Sequence, residues 1–103
     1  MNYELWIIPE CPNSAPALAL FRRALAAVGA NGDVPVVELT SDEQAEALGF
    51  HGSPSFIAEG RDLFPSPASP ALACRVYGTP EGLAGLPSQE DLQAAIHSAF
   101  STA

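Results

Sequence analysis

Tyr3-Glu4-Leu5-Trp6-Ile7-Ile8-Pro9-Glu10-Cys11-Pro12-Asn13-Ser14 is the stretch on which the fold turns. Its first half, Tyr3 to Ile8, is rich in aromatic and β-branched residues and stops at Pro9, which predicts a buried strand. Its second half opens a helix. From Pro12 to Val28 the apolar residues Leu18, Phe21, Leu25 and Val28 recur at helical spacing, with Arg22 and Arg23 on the other side. Pro12 suits a first helical position and Gly29 a stop, so Cys11 is expected where the first helix begins.

Outward from this unit, Asn31-Gly32-Asp33 reads as a turn. Val34 to Leu39 reads as a second strand, with Pro35 tolerable near its start or on an edge. Thr40 followed by Glu43 offers a capping box for a short helix carrying Ala45 and Leu48 and closed by Gly49. Pro54 to Ala58, the Glu59-Gly60 turn and Arg61 to Phe64 predict a β-hairpin. Residues 65–80 scatter Pro65, Pro67, Pro70 and Pro80 among serines and alanines. A loop is expected there, with local order confined to Leu72–Tyr77. Pro87-Ser88 with Asp91 three residues on starts a last helix, whose apolar face is Leu92, Ile96 and Phe100. The predicted order is β-α-β-α-β-β-α, without internal repeats.

A chain of 103 residues suits one domain and one core, since a protein of this size buries about 60 to 65% of its unfolded surface. At 48% hydrophobic and 16% charged the composition is globular, and no apolar run approaches the ~18 residues of a membrane span. The start lacks the basic region of a secretory signal, so a cytoplasmic location is expected. Twelve acidic residues, four arginines and no lysine give a formal charge of -8. That charge opposes binding to a phosphate backbone or an anionic membrane, so no nucleic acid and no membrane partner is expected. In a cytosolic chain two cysteines are too few for a disulfide scaffold and are more often catalytic, redox-active or metal-binding.

The element order, the Cys11-Pro12-Asn13-Ser14 motif at the first helix and the Gly52-Ser53-Pro54 tripeptide opening the third strand together resemble the thioredoxin-like superfamily. The resemblance covers nearly the whole chain. It implies a single domain over residues 1–103, with a central four-stranded mixed sheet flanked by three helices and the Pro-rich loop at 65–80. The first two strands would be parallel and the hairpin strands antiparallel to the first. It further implies a cis proline at Pro54, a Ser53 main chain free to pair with an extended substrate, and a loop that leaves from the same rim, so that Cys74 hangs over Cys11. Cys11, Ser14 and Cys74 are then the candidate catalytic residues, and Pro12, Ser53 and Pro54 the candidate substrate-binding ones.

A cysteine at a helix start faces unpaired N–H groups and the positive end of the helix dipole, which favour thiolate over thiol. Such cysteines as a class drop from ~8.5 into a range of about 3.5 to 7.5. Ser14, one turn along, is placed to donate its hydroxyl to the sulfur, while Glu10 opposes the negative charge. Serine cannot resolve a mixed disulfide, so dithiol exchange within the motif is excluded. Exchange with an outside thiol, resolution by Cys74, and capture of a soft electrophile or metal between two sulfurs remain open. Leu72, Cys74 and Val76 alternate like one face of a strand, in which Cys74 would simply pack. Arg75 is expected to be solvated, and so is His51; Trp6 is core, and His97 has no assigned role.

The leading reading is a thioredoxin-like thiol protein with Cys11 as nucleophile toward a small thiol or a protein disulfide, without a cofactor or bound metal. One alternative is an alkylmercury lyase-like or metal-handling role using Cys11 and Cys74, because Ala73-Cys74-Arg75 followed by Gly82 and Pro87 resembles proteins grouped with alkylmercury lyases. Ser14 there replaces an expected carboxylate. Another is a non-catalytic binding module in which Cys11 is structural. Cys-x-x-Ser is also similar to monothiol glutaredoxins, but the lysine usually ahead of that cysteine and a glutathione-binding glycine pair are missing.

Overall fold

Alternation along the first strand sets the layers. In the computed structural model, which describes residues 2–30, 33–65 and 70–101, β1 spans Tyr3–Ile7. Tyr3, Leu5 and Ile7 enter one apolar cluster, and Trp6, on the other face, enters a second. The larger cluster lies under α1 (Ser14–Ala27) and α3 (Gln89–Ser101), through Ala17, Leu20, Phe21, Ala24 and Leu25 of α1 and Leu92 and Ile96 of α3. The smaller joins Trp6 to Leu39, Ala45, Phe50 and Ile57, with Ala45 coming from α2 (Asp42–Leu48). The sheet is therefore covered on both faces.

Among the described residues the chain forms three helices and a four-stranded mixed sheet of order β2-β1-β3-β4. β2 (Val36–Glu38) runs parallel to β1, and β3 (Ser55–Ala58) runs antiparallel to it, with Trp6 opposite Ser55. β4 (Arg61–Asp62) returns from β3 through Glu59 and Gly60, both at positive φ as a tight hairpin requires. The first two strands are parallel and the third antiparallel to the first, as expected, but β4, being antiparallel to β3, runs in the direction of β1 rather than against it. β2 is shorter than expected, though Pro35 O and the Leu39 amide carry the pairing one residue past either end. β4 ends early because the Asp62 carboxylate accepts from the Phe64 amide at 2.9 Å and turns the chain out of the sheet.

The helix ends differ in detail from the sequence reading. α1 starts at Ser14 behind Asn13, not at Pro12, because the first helical bond runs from the Ala17 amide to Asn13 O at 2.8 Å. Its end is a Schellman arrangement around Gly29 (φ 77°), with Ala30 N–H on Leu25 O and Gly29 N–H on Ala26 O. α2 is capped by Ser41 rather than Thr40: the Ser41 hydroxyl accepts from the Gln44 amide, and Gln44 Oε1 accepts from the Thr40 amide. Ser88 caps α3 as expected, its Oγ accepting from the Asp91 amide. The Phe100 side chain and the Asn31-Gly32 turn lie outside the described residues.

The largest correction concerns residues 65–80, of which 66–69 lie outside the described residues. Tyr77–Thr79 is a strand, β5, paired antiparallel with β6 (Gly82–Ala84) in a separate two-stranded sheet. The full order is thus β-α-β-α-β-β-β-β-α. Pro80-Glu81 makes the turn, and Thr79 Oγ1 donates to Gly82 O and accepts from the Glu81 amide. Three-residue strands carry too little alternation to stand out beside so many prolines.

Candidate functional site

β1 runs into a turn in which the Cys11 amide donates to Ile8 O at 3.3 Å. Pro9 fits the second position of such a turn, while Glu10 takes φ 60° at the third, where glycine is the usual choice. A second turn follows, the Ser14 amide donating to Cys11 O at 3.2 Å, and α1 begins. Cys11 consequently stands two residues ahead of the Asn13 cap rather than on the helix itself. It is buried, at 7% exposure; Pro12 is exposed and Ser14 half-buried.

The register of β1 against β3 brings the second candidate element to the same place. The two strands run antiparallel with Trp6 opposite Ser55, so β3 begins, directly after Ser53-Pro54, at the end of the sheet where β1 finishes. The Ser53-Pro54 bond is cis, as expected, and both residues are fully buried. The turn that carries Cys11 and the cis proline therefore share one end of the sheet.

Cys74 reaches that end through the main chain. Ser53 and Cys74 form an isolated parallel bridge, in which the Ser53 amide donates to Ala73 O at 2.8 Å and the Arg75 amide to Ser53 O at 2.9 Å. The expectation that Ser53 keeps its backbone open is thereby overturned, since both of its main-chain groups are taken by the chain's own segment. Cys74 is exposed rather than packed, and Val76 is 64% exposed, so Leu72, Cys74 and Val76 do not share a buried face. Leu72 alone of the three packs, against the Trp6 cluster. Both cysteines are free thiols.

Arg75 corrects a second expectation. Its side chain is 9% exposed and pairs with Asp62 (12% exposed) at 2.6 Å; it also donates to Ser55 Oγ at 3.3 Å and to Phe64 O. Its guanidinium lies 4.7 Å from the centre of the Tyr77 ring. The Tyr77 hydroxyl in turn donates to Pro54 O. Burial, the dominant cause, together with the Asp62 charge, pushes the Tyr77 phenol far above its usual range, although Arg75 pulls the other way. This clamp of Arg75, Asp62 and Tyr77 went unseen in the sequence, because Asp62 lies in the hairpin while Arg75 and Tyr77 stand 13 and 15 residues on, in a stretch that reads as loop.

Glycines mark two close approaches. A Cβ on Gly52 (φ 119°) would stand 2.9 Å from Arg75 Cβ, and one on Gly85 2.3 Å from Asn13 Nδ2, which seats the chain after β6 against the start of α1. His51 is half-buried rather than solvent-facing. Its Nδ1 and the Ser53 hydroxyl are buried without a hydrogen-bond partner among the described residues. No group of three or more His, Cys, Asp or Glu able to hold a metal ion occurs among the described residues. No helix there is long and apolar enough to cross a membrane.

Fold and site together define a mixed α/β chain with a thiol, a cis proline and a second thiol at one sheet end. Compared with known protein families, curated proteins and solved structures, the chain has no significant match.

Proposed function

We propose that this chain is a cytoplasmic, thioredoxin-like thiol protein in which Cys11 is the nucleophile of thiol-disulfide exchange, with Cys74 or an outside thiol completing the exchange. The observation that carries the reading is the convergence, at one end of the sheet, of the Cys11 turn, the cis Ser53-Pro54 bond and the Ser53–Cys74 bridge. Ser14 opens α1 one turn beyond Cys11, within the span where its hydroxyl can serve the sulfur. Of the three residues read as substrate-binding, Pro12 is exposed to a small partner, while Ser53 and Pro54 are fully buried and support the site from within.

Cys11's low exposure favours a second reading, a non-catalytic binding module in which that residue only packs. Mass spectrometry after mild oxidation separates the two, applied to the native chain, Cys11→Ser and Cys74→Ser. The exchange reading expects a Cys11–Cys74 bridge, or a mixed disulfide on Cys11 when a small thiol is supplied. Two cysteines that stay reduced throughout would leave the binding module. One Hg²⁺ held jointly by both sulfurs, and lost in either single variant, would instead point to metal handling.

A further inference from the structure

The main chain ahead of the cis proline is already occupied. We propose that Ala73–Arg75 is a built-in occupant of the pairing position beside Pro54, and that it restricts the thiol site to low-molecular-weight disulfides and thiols, shutting out extended polypeptides. The inference rests on Cys11 acting as an exchanging thiol and narrows its partner class.

An extended peptide joins a sheet end through alternate N–H and C=O groups of the strand it meets. Ser53 offers neither, because its amide donates to Ala73 O at 2.8 Å and its carbonyl accepts from the Arg75 amide at 2.9 Å. A visiting strand would have to strip off this segment, which is held well beyond those two bonds. Upstream, the Ala71 amide donates to Phe50 O at 3.1 Å. Downstream, the Arg75 guanidinium is fixed by Asp62, Phe64 O and Ser55, and the Tyr77 hydroxyl by Pro54 O. Gly52 builds the close approach into the sequence, since any side chain there would run into Arg75 Cβ at 2.9 Å.

The same packing separates partners by size. A small disulfide has only to bring one sulfur to Cys11, which keeps 7% of its surface open, whereas a peptide needs a strand's length of main chain alongside Ser53. The guanidinium of Arg75 is committed to Asp62, so it offers no anchor for an incoming carboxylate. In the exchange the Cys11 thiolate attacks one sulfur of RS–SR, the S–S bond breaks, Cys11–S–S–R forms and RS⁻ leaves. A second small thiolate R′S⁻ then attacks the R sulfur, yielding RS–SR′ and restoring the Cys11 thiolate.

The test uses the full chain carrying Cys74→Ser, so that Cys11 alone reports. Two probes share a thiopyridyl leaving group: a cysteamine mixed disulfide, and the same disulfide on the cysteine of an extended peptide. Release of thiopyridone gives each rate. The proposal expects the small probe to react at least about tenfold faster, and the ratio to fall toward one when the segment is loosened by Arg75→Ala. Tyr77→Phe, a milder loosening, is measured alongside in case Arg75→Ala fails to fold. Equal rates in the clamped chain, or a ratio unmoved in every folded loosened variant, would overturn it. Should Cys11 react with neither probe in any form, the exchange reading itself falls and the restriction with it.

Discussion

Glu10 holds φ 60° in the turn that delivers Cys11, a conformation that costs a residue with a Cβ about 1 kcal/mol or more relative to glycine. Glu10→Gly is therefore expected to stabilise the fold by up to about 1 kcal/mol in urea unfolding, the gain being trimmed by the freer unfolded chain. A destabilised variant would mean that the Glu10 side chain makes a contact that outweighs the strain. Ser53 raises the opposite question, since its hydroxyl is fully buried with no partner among the described residues. Removing an unsatisfied hydroxyl relieves a desolvation cost, so Ser53→Ala should be neutral or stabilising by about 1 kcal/mol. A clear loss of stability would show that the hydroxyl is satisfied in solution.

At the scale of elements, the decisive structure is residues 70–76 ahead of β5, which form no helix or strand but are fixed at several points. Arg75→Ala leaves the Asp62 carboxylate buried without its cation and should destabilise the fold by about 2 to 4 kcal/mol. Replacing both residues by leucine should cost less than that single change, which a double-mutant cycle in denaturant would show. The Tyr77 phenol gives a pH signature. Its ionisation is raised above 10.0 in the folded chain, chiefly by burial, so the folded state keeps a proton that the unfolded state releases. Its contribution is complete below about pH 10 and is lost as pH climbs above that toward the folded value. Stability measured from pH 9 to 11 should thus fall more steeply in the native chain than in Tyr77→Phe. Tyr3, raised by burial and by Glu59, adds a part that the variant retains.

For the whole molecule, one aromatic chain ties the layers together. Phe56 of β3 meets Phe21 of α1, Phe64 and Tyr77 edge to face, at centroid distances of 5.2, 6.2 and 6.0 Å, and Phe21 also meets Tyr3 at 5.9 Å. Phe56→Ala should accordingly cost about 3 to 5 kcal/mol, and hydrogen exchange should show the Arg75 amide losing protection with it. The net charge of -8 acts at the same scale, since the folded chain concentrates its self-repulsion. Raising NaCl from low salt to about 0.5 M should raise the unfolding midpoint, because the Debye length falls well below the size of the protein.

Wherever a signal is local and repeated, the sequence alone determined the outcome: the alternation of Tyr3–Ile7, the helical spacing of Phe21 and Leu25, the Glu59-Gly60 turn and the Ser88 cap. Each is a property of a few consecutive residues, set by sterics and by which face becomes apolar. These signals yield the three helices and the first four strands. Only the tertiary structure decided that Ser53 pairs with its own chain, that Arg75 is clamped to Asp62 rather than solvated, and that Tyr77–Ala84 forms a second small sheet. The Ser53 bridge, the Arg75–Asp62 pair and the Tyr77–Pro54 bond join residues 13 to 23 positions apart across a proline-rich stretch, where no periodicity links them. Their partners are chosen by which unpaired donors and acceptors the finished sheet leaves at its end, a choice that does not exist until the sheet has formed.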